Sequence, residues 1–467
     1  MTSEPRSWQN SSPGDLSFIF PETHAHDLSA CVRRSSEAFP SWSRTSLEAR
    51  REALVQCRAN IEKSAPQLAE VISRETGKPL REARLELQAV IAKFDLTFAD
   101  ADGLIAEKPV TDGPPPAAVR HHPIGPAAVI APFNFPIHLG HGATVAYLLA
   151  GNTVLFKPSP LAANTAEAYA REMQAALPPG VFELVQGWGS TGRELCVDPA
   201  VRAVCFTGSI PVGRSLARDI AADTSKILAL ELGGKNSLIV CADADLALAA
   251  ECAADGMCLT AAQRCNATSR ILVEKSVAEP FTELLLSSVS RYQPGDPLNE
   301  STLLGPLIGI SAHERYERLT STPGLEWILP GGILETNPSG QHGWYVLPAI
   351  ARASDAAALD ATPLAREETF APIAVIEEFT TDSEAIARHA AWNFGLTASV
   401  FTRSDARFTA FASALEVGNL YRNLPTTFSP STLPFGGWGA SGNARPGARG
   451  FIRHAVREQA VQWRSAP

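Results

Sequence analysis

From Ile124 to about Leu232, short apolar runs recur with helix-length stretches between them: AAVIAPF, NTVLFKPS, FELVQG, AVCFTGS and ILALELGG. A strand covered on both faces reads as such a run, and strands separated by helices of this length are joined by right-handed crossovers into a parallel sheet. A second alternating series begins near Asn236 with SLIV, continues through SRILVEK and APIAVIEEF, and ends near ASVFTR. The chain therefore reads as two α/β units joined close to Glu231–Gly234. Its 467 residues also exceed what one hydrophobic core organises. Ahead of the first series, from Asp27 to Phe98, the apolar positions Ala53, Leu54, Ile61, Leu68, Val71 and Ile72 recur at helical spacing. The Pro-rich stretch Lys108–Pro116 reads as a loop or an extended excursion, and the tail Ala455–Trp463 as a final strand.

The formal net charge of −9 argues against a nucleic acid or an acidic membrane as partner, because polyphosphates are held by basic surfaces. Met1–Leu16 is polar and does not read as a secretory signal, and no apolar run reaches the roughly 20 residues of a spanning helix. The eight cysteines are scattered, with no CxxC pair and no zinc spacing. No metal site is expected. Reduced thiols in the cytoplasm are, with most cysteines (Cys31, Cys57, Cys241 and Cys252 among them) serving as small buried hydrophobes.

Two glycine-rich turns are candidates for holding phosphate. Gly187–Gly192 matches G-x-G-x-x-G, yet no acidic residue lies about 20 positions on to hold a ribose, so a plain turn at the edge of a cofactor unit is the better reading. FTGSIPVG, Phe206–Gly213, follows a strand and opens a helix. Free amides at a helix start carry partial positive charge, Ser209 adds a hydroxyl, and Gly208 and Gly213 permit close backbone approach.

The decisive pattern is a set of segments in fixed order: APFNFP (Ala131–Pro136), FKPS (Phe156–Ser159), LELGGK (Leu230–Lys235) and AQRC (Ala262–Cys265), followed by EETFAP (Glu367–Pro372) and PFGGWGASG (Pro434–Gly442). From about residue 15 to the end this order closely resembles the aldehyde dehydrogenase superfamily. The resemblance implies a Rossmann-like cofactor domain at 1–107 and 127–232, a catalytic α/β domain at 233–441, and an oligomerisation hairpin and tail at 108–126 and 442–467. A homodimer or homotetramer is implied with them. It implies NAD or NADP as cofactor and oxidation of a small-molecule aldehyde to a carboxylic acid.

Residue roles follow from the same resemblance, and side-chain chemistry supports them. Cys265 matches the nucleophile, thiolate being a strong nucleophile within reach of neutral pH. Asn134 matches the oxyanion donor, together with the Cys265 backbone N–H. Glu231 matches the general base that activates the hydrolytic water, a role that needs partial burial to bring a carboxylate toward neutrality. Without that context these would read as a buried thiol, a turn asparagine and a strand-end glutamate. Lys157, Ser159, Gly208, Ser209, Gly213, Leu232, Glu368 and Phe370 match the cofactor-binding positions.

The chain departs from the family in several places. Ala262 and Ala371 replace usual glycines, which matters only if either position needs positive φ. Pro160 replaces the glutamate of K-P-S-E that accepts the adenosine ribose hydroxyls, so weak discrimination between NAD and NADP is expected. No leading strand of the W-I-x-G-x-W type is evident. KILALELGGKN (Lys226–Asn236), LTAAQRC and STLPFGGWGASGNARP (Ser431–Pro446) are most similar to the branch that oxidises N-succinylglutamate 5-semialdehyde in arginine catabolism. An anionic semialdehyde is thus the expected substrate, with Arg445, Arg422 and Arg264 as carboxylate-binding candidates. In the loop NLYRNLP, Tyr421 and Arg422 replace an Asn-Trp pair of that branch, which leaves room for a general aliphatic or aromatic aldehyde. The two alanines leave room for a catalytically idle relative. Any one of these arginines is otherwise a solvated or structural ion pair.

Overall fold

The computed structural model describes residues 4–110 and 116–464. Four short strands open the fold: β1 (Ser7–Trp8), β2 (Ser11–Ser12), β3 (Asp15–Ile19) and β4 (Thr23–His24). β1 pairs antiparallel with β4, and β2 with β3. The expectation of a missing leading strand is corrected here. Strands of 2 to 5 residues leave too little sequence for an alternating pattern to register. The helical stretch then divides into α1 (Leu28–Trp42), α2 (Leu47–Thr76) and α3 (Leu80–Leu104). Asp27 and Ser46 cap the first two by accepting the Ala30 and Ala49 amides. Gly77, at φ 74°, ends α2, and Pro79 leads straight into α3.

β5 (Lys108–Val110) pairs antiparallel with β6 (Ala117–Pro123). Residues 111–115 of the expected hairpin lie outside the described residues. The first large sheet follows, with β7 (Ala127–Ile130), β8 (Val154–Lys157), β9 (Phe182–Leu184), β10 (Ala203–Gly208) and β11 (Ile227–Leu232). All its pairings are parallel and the spatial order is β9-β8-β7-β10-β11. The connecting helices are α4 (His138–Leu149), α5 (Ala163–Gln174), α6 (Gly189–Val197) and α7 (Ile210–Ile220). Neighbouring strand residues feed opposite cores: Val129 packs with Leu54, Val90 and Tyr147, whereas Ala128 packs with Cys31, Leu195 and Leu216. That two-sided burial is why the strands read as unbroken apolar runs. Strand order reverses between β7 and β10, and in open α/β sheets ligands bind beyond the carboxyl ends at such a point.

Only Gly233, Gly234 and Lys235 separate β11 from the second sheet. Its strands are β12 (Asn236–Val240), β13 (Thr268–Glu274), β14 (Glu326–Thr336), β15 (His342–Arg352), β16 (Ile373–Phe379), β18 (Thr397–Phe401) and β19 (Asn419–Arg422), in the order β14-β15-β16-β13-β12-β18-β19. The short β17 (Phe394–Gly395) lies outside it and pairs with β20 (Trp438–Gly439). The long antiparallel hairpin β14–β15 is not evident from sequence, because Pro330, Gly331 and Gly332 interrupt its first strand. Gly331 sits at φ 73°. Helices α8 (Leu246–Cys258), α9 (Ala278–Val289) and α10 (Ile310–Thr320) cover this sheet, and β21 (Val456–Gln462) runs antiparallel to β6. The architecture is the expected α/β class, with two mainly parallel sheets and a small three-stranded arm, β5-β6-β21.

Candidate active site

The strand ends converge on one cleft. Just beyond β7 lies Asn134, β8 closes on Lys157 and is followed by Ser159, and β10 runs into Gly208 and Ser209. Glu231 and Leu232 end β11. Glu368 and Phe370 arrive from the loop before β16, and Cys265 from the loop between α8 and β13. All of them line a single cavity of about 410 Å³. A second cavity, of about 420 Å³, continues it between α6 and α7 along Gly192, Arg193, Pro211 and Ser215, with Lys157, Gly189 and Val212 common to both. On the other side of Cys265 lies a third cavity of about 210 Å³, walled by Phe135, His138, Arg264, Ser429 and Phe435. The thiol stands at the partition between the first and the third.

The Cys265 thiol donates to Glu231 Oε1 at 3.4 Å. Glu231 is 1% exposed, its Oε2 has no hydrogen-bond partner among the described residues, and burial pushes its carboxyl up to about 7. Burial, and then the Glu231 and Glu368 carboxylates, push the Cys265 thiol well above its ordinary value. At rest the pair is therefore a protonated thiol beside a carboxyl poised near neutrality. Asn134 Nδ2 donates to the Gln263 carbonyl at 2.8 Å, which ties the β7 loop to the cysteine loop two residues before the thiol.

Lys157 is buried, donates to the Pro158 and Gly187 carbonyls at 2.8 and 2.7 Å, and is lowered by burial to about 8. Ser159 caps the short 3-10 turn that begins at Pro160. The start of α7 has no side-chain cap, and Ser209 sits at its N-cap position facing the cavity. Glu368 accepts the Gly234 amide at 3.2 Å and is likewise raised to about 7 by burial. A Cβ at Gly233 would lie 2.4 Å from Glu368 Oε2, so glycine there lets the acid reach the cavity floor. These features fit a dinucleotide: uncapped helix amides for a pyrophosphate, a carboxylate for a ribose, and a long cleft to receive both.

Other expectations fall differently. Gly213 does not line the cleft; a Cβ there would meet Leu232 Cδ2 at 2.4 Å, so its place is in packing α7 onto the end of β11. Arg422 faces elsewhere, bonded to Asp405 and to the Arg403 and Thr402 carbonyls. Arg445 gives its Nη2 to Asn419 Oδ1 and the Pro434 carbonyl and lines none of these cavities. Only Arg264 lines the cavity on the thiol's far side, and it is paired with Glu82 at 2.8 Å. Arg445 answers an asparagine and a carbonyl, and Arg422 an aspartate and two carbonyls, which local sequence does not reveal.

Of the two alanines in place of glycine, Ala371 is not at positive φ, whereas Ala262 is, at φ 53°, following Thr260 at 55° and Ala261 at 51°. Three successive non-glycine residues in the left-handed region cost about 1–2 kcal/mol each. The cysteine loop is thus held in place by outside contacts.

Sequence reasoning missed Arg315. It extends from α10 to the rim of the cofactor-side cavity, near Glu368, and no hydrogen bond or ion pair engages it among the described residues. Its neighbours in ISAHERYERLT are charged as well, so nothing in the sequence marks this arginine out.

Residues 6–461 match the model of the aldehyde dehydrogenase family. The N-succinylglutamate 5-semialdehyde dehydrogenase of Klebsiella pneumoniae is 36% identical over 431 residues, covering 91% of this chain and 85% of its own. The Escherichia coli protein of the same name is 33% identical over 449 residues, covering 94% and 89%. Among solved structures, an NAD-dependent aldehyde dehydrogenase from Sinorhizobium meliloti aligns with TM-score 0.92 at 29% identity over 99% of this chain and 92% of its own.

Proposed function

The chain belongs to the aldehyde dehydrogenase family, and from that premise we propose that it oxidises an anionic semialdehyde, such as N-succinylglutamate 5-semialdehyde, to the carboxylic acid with NAD or NADP. The observation that carries the chemistry is the 3.4 Å contact between Cys265 and Glu231 at the partition between two cavities.

The residues act in order. Glu231, poised near neutrality, takes the thiol proton, and Cys265 Sγ attacks the aldehyde carbon presented from the Arg264 side. The Asn134 amide, released from the Gln263 carbonyl, joins the Cys265 backbone N–H in holding the oxyanion. Glu368 and Phe370 would hold a nicotinamide, which when bound would supply the hydride acceptor; loss of hydride from the Cys265 adduct leaves a thioester on Cys265. Glu231 passes the thiol proton out to solvent, then deprotonates a water that attacks the thioester; the thiolate departs, regains a proton from Glu231, and the acid is released. Lys157, Ser159, Gly208, Ser209 and Leu232 are assigned to the cofactor, with residues 1–107 and 127–232 as its domain and 233–441 as the catalytic domain. With Pro160 at the position where a ribose-binding glutamate is usual, kcat/KM for NAD and NADP is expected to agree within about a thousandfold, roughly 4 kcal/mol. A wider gap in steady-state kinetics would contradict that.

The names of the relatives and Arg264 beside the thiol support the anionic substrate. A second reading, a neutral apolar aldehyde, is favoured by Leu85, Ala89, Phe135, Leu139 and Phe435 in the same walls and by the pairing of Arg264 with Glu82. One kinetic panel of N-succinylglutamate 5-semialdehyde against aliphatic and aromatic aldehydes decides between them, with NAD(P)H formation as readout. Cys265→Ala is expected to abolish turnover and leave cofactor binding within twofold; retained turnover would refute the assignment. A homodimer or homotetramer is proposed through the β5-β6-β21 arm, where Arg457–Ala460 of β21 are exposed. No helix among the described residues is long and apolar enough to cross a membrane.

A further inference from the structure

Glu82 and Glu86 stand one turn apart on α3, and each is buried, at 4% and 3% exposure. Neither belongs to the residues assigned to chemistry above, yet each reaches a different catalytic loop. Glu82 Oε1 accepts the Thr260 amide at 3.3 Å. Its Oε2 accepts the Thr260 hydroxyl at 2.6 Å and Arg264 Nη2 at 2.8 Å. Arg264 Nε closes a triangle by donating to Thr260 Oγ1 at 2.9 Å. Glu86 Oε1 accepts the Ile137 and His138 amides at 3.1 and 3.0 Å, and its Oε2 pairs with buried Lys78. Lys78 Nζ in turn lies 3.7 Å from the centre of the Phe135 ring, directly after Asn134.

One helix face thus holds both loops that must meet at the reacting carbon. Glu82 holds the strained left-handed run Thr260–Ala262 that delivers Cys265, and Glu86 holds the turn that follows Asn134. The loops also meet directly, through the Asn134 amide on the Gln263 carbonyl and the Arg264 guanidinium 5.0 Å from the centre of the Phe135 ring. A carboxylate is the side chain suited to the task, because two oxygens accept several converging donors at once. We propose that Glu82 and Glu86 form a clamp that sets the spacing between the Cys265 nucleophile and the Asn134 amide, making both positioning residues for the oxidation. The proposal rests on the assignment of Cys265 and Asn134 above.

The test uses the full-length protein. Glu82→Ala is expected to lower kcat by roughly 10- to 100-fold, the scale that displacements of about 1 Å produce. KM for the cofactor should change less than twofold, because α3 does not line the cofactor cavity. Glu82→Gln keeps an acceptor for the Thr260 amide and should recover at least fivefold of the loss. Thr260→Val removes the hydroxyl from the loop side without touching α3. Combined with Glu82→Gln it should add less than twofold further loss, since both changes break the same contact. Full activity of Glu82→Ala, no recovery by Glu82→Gln, or multiplicative losses in the double variant would overturn the clamp. Cys265→Ala, run alongside, separates the two ideas: turnover surviving there sinks the assignment of the nucleophile, whatever Glu82 does.

Discussion

The two cavities that meet at Cys265 were built by different means. On the cofactor side the walls are strand ends and the turns after them, with Lys157, Ser159, Gly208, Ser209, Glu231 and Leu232 each lying within three residues of a strand of one parallel sheet. On the other side the walls come from α3, the start of α4, the cysteine loop and the segment 429–448, pieces remote in sequence, with α3 tied to the cysteine loop by the Glu82–Arg264 ion pair and to the start of α4 by Glu86 on the Ile137 and His138 amides. The first kind of site is set by backbone geometry, so short motifs report it. The second is set by which side chains happen to satisfy one another. Its three candidate arginines met three different fates: one faces the cavity, one bonds asparagine and a carbonyl, and one pairs with a surface aspartate.

The largest expected effect probes the partition itself. Glu231→Gln should lower steady-state turnover by about 10²–10⁴-fold, as loss of a general base does. If the residue serves hydrolysis above all, a single burst of NAD(P)H per chain should survive at high pH, followed by stalled acyl-enzyme. No burst would assign Glu231 to thiol activation instead. With Glu231 as the proposed base, kcat of the wild type should rise with pH through about 7, where its carboxylate form becomes populated. Stability should run the opposite way. The buried carboxyl is raised from its ordinary 4.5, so its contribution is full below that value and lost as pH climbs through about 7. Glu231→Gln should therefore unfold at a higher temperature than wild type at pH 8 and at the same temperature near pH 4, as read by calorimetry.

A smaller effect sharpens the substrate side. Arg264→Met should reduce the ratio of kcat/KM for an anionic over a neutral aldehyde by about tenfold, the scale of one charge-assisted hydrogen bond. Arg422→Met should leave that ratio within twofold, since its guanidinium is committed to Asp405. Equal ratios in both variants would favour the neutral-aldehyde reading. Smallest of all, Ala262→Gly relieves one left-handed alanine at φ 53° and should stabilise the protein by about 1 kcal/mol, measured by denaturant unfolding. Loss of stability there would mean that the added freedom of glycine in the unfolded chain outweighs the relieved strain.

Much of this architecture was legible in local pattern. Runs such as AVCFTGS and NTVLFKPS place a strand, its end and the turn beyond it in a handful of residues, because two-sided burial demands an unbroken apolar run. The hairpin β14–β15 escaped because Pro330, Gly331 and Gly332 break its first strand. Arg315 and Glu82 escaped for another reason: a charged residue on a helix looks alike whether it meets solvent or a catalytic loop.

By itself, then, the order of residues determined two α/β units, their junction at the glycine pair after Leu232, and the segments that carry Cys265, Asn134 and Glu231 to one cavity. Only tertiary structure decided which arginine faces the thiol, that Gly213 serves packing, and that Ala262 is held left-handed. Strand ends follow from short-range burial, whereas ion-pair choice and loop strain depend on partners tens to hundreds of residues away, as the 182-residue separation of Glu82 from Arg264 illustrates.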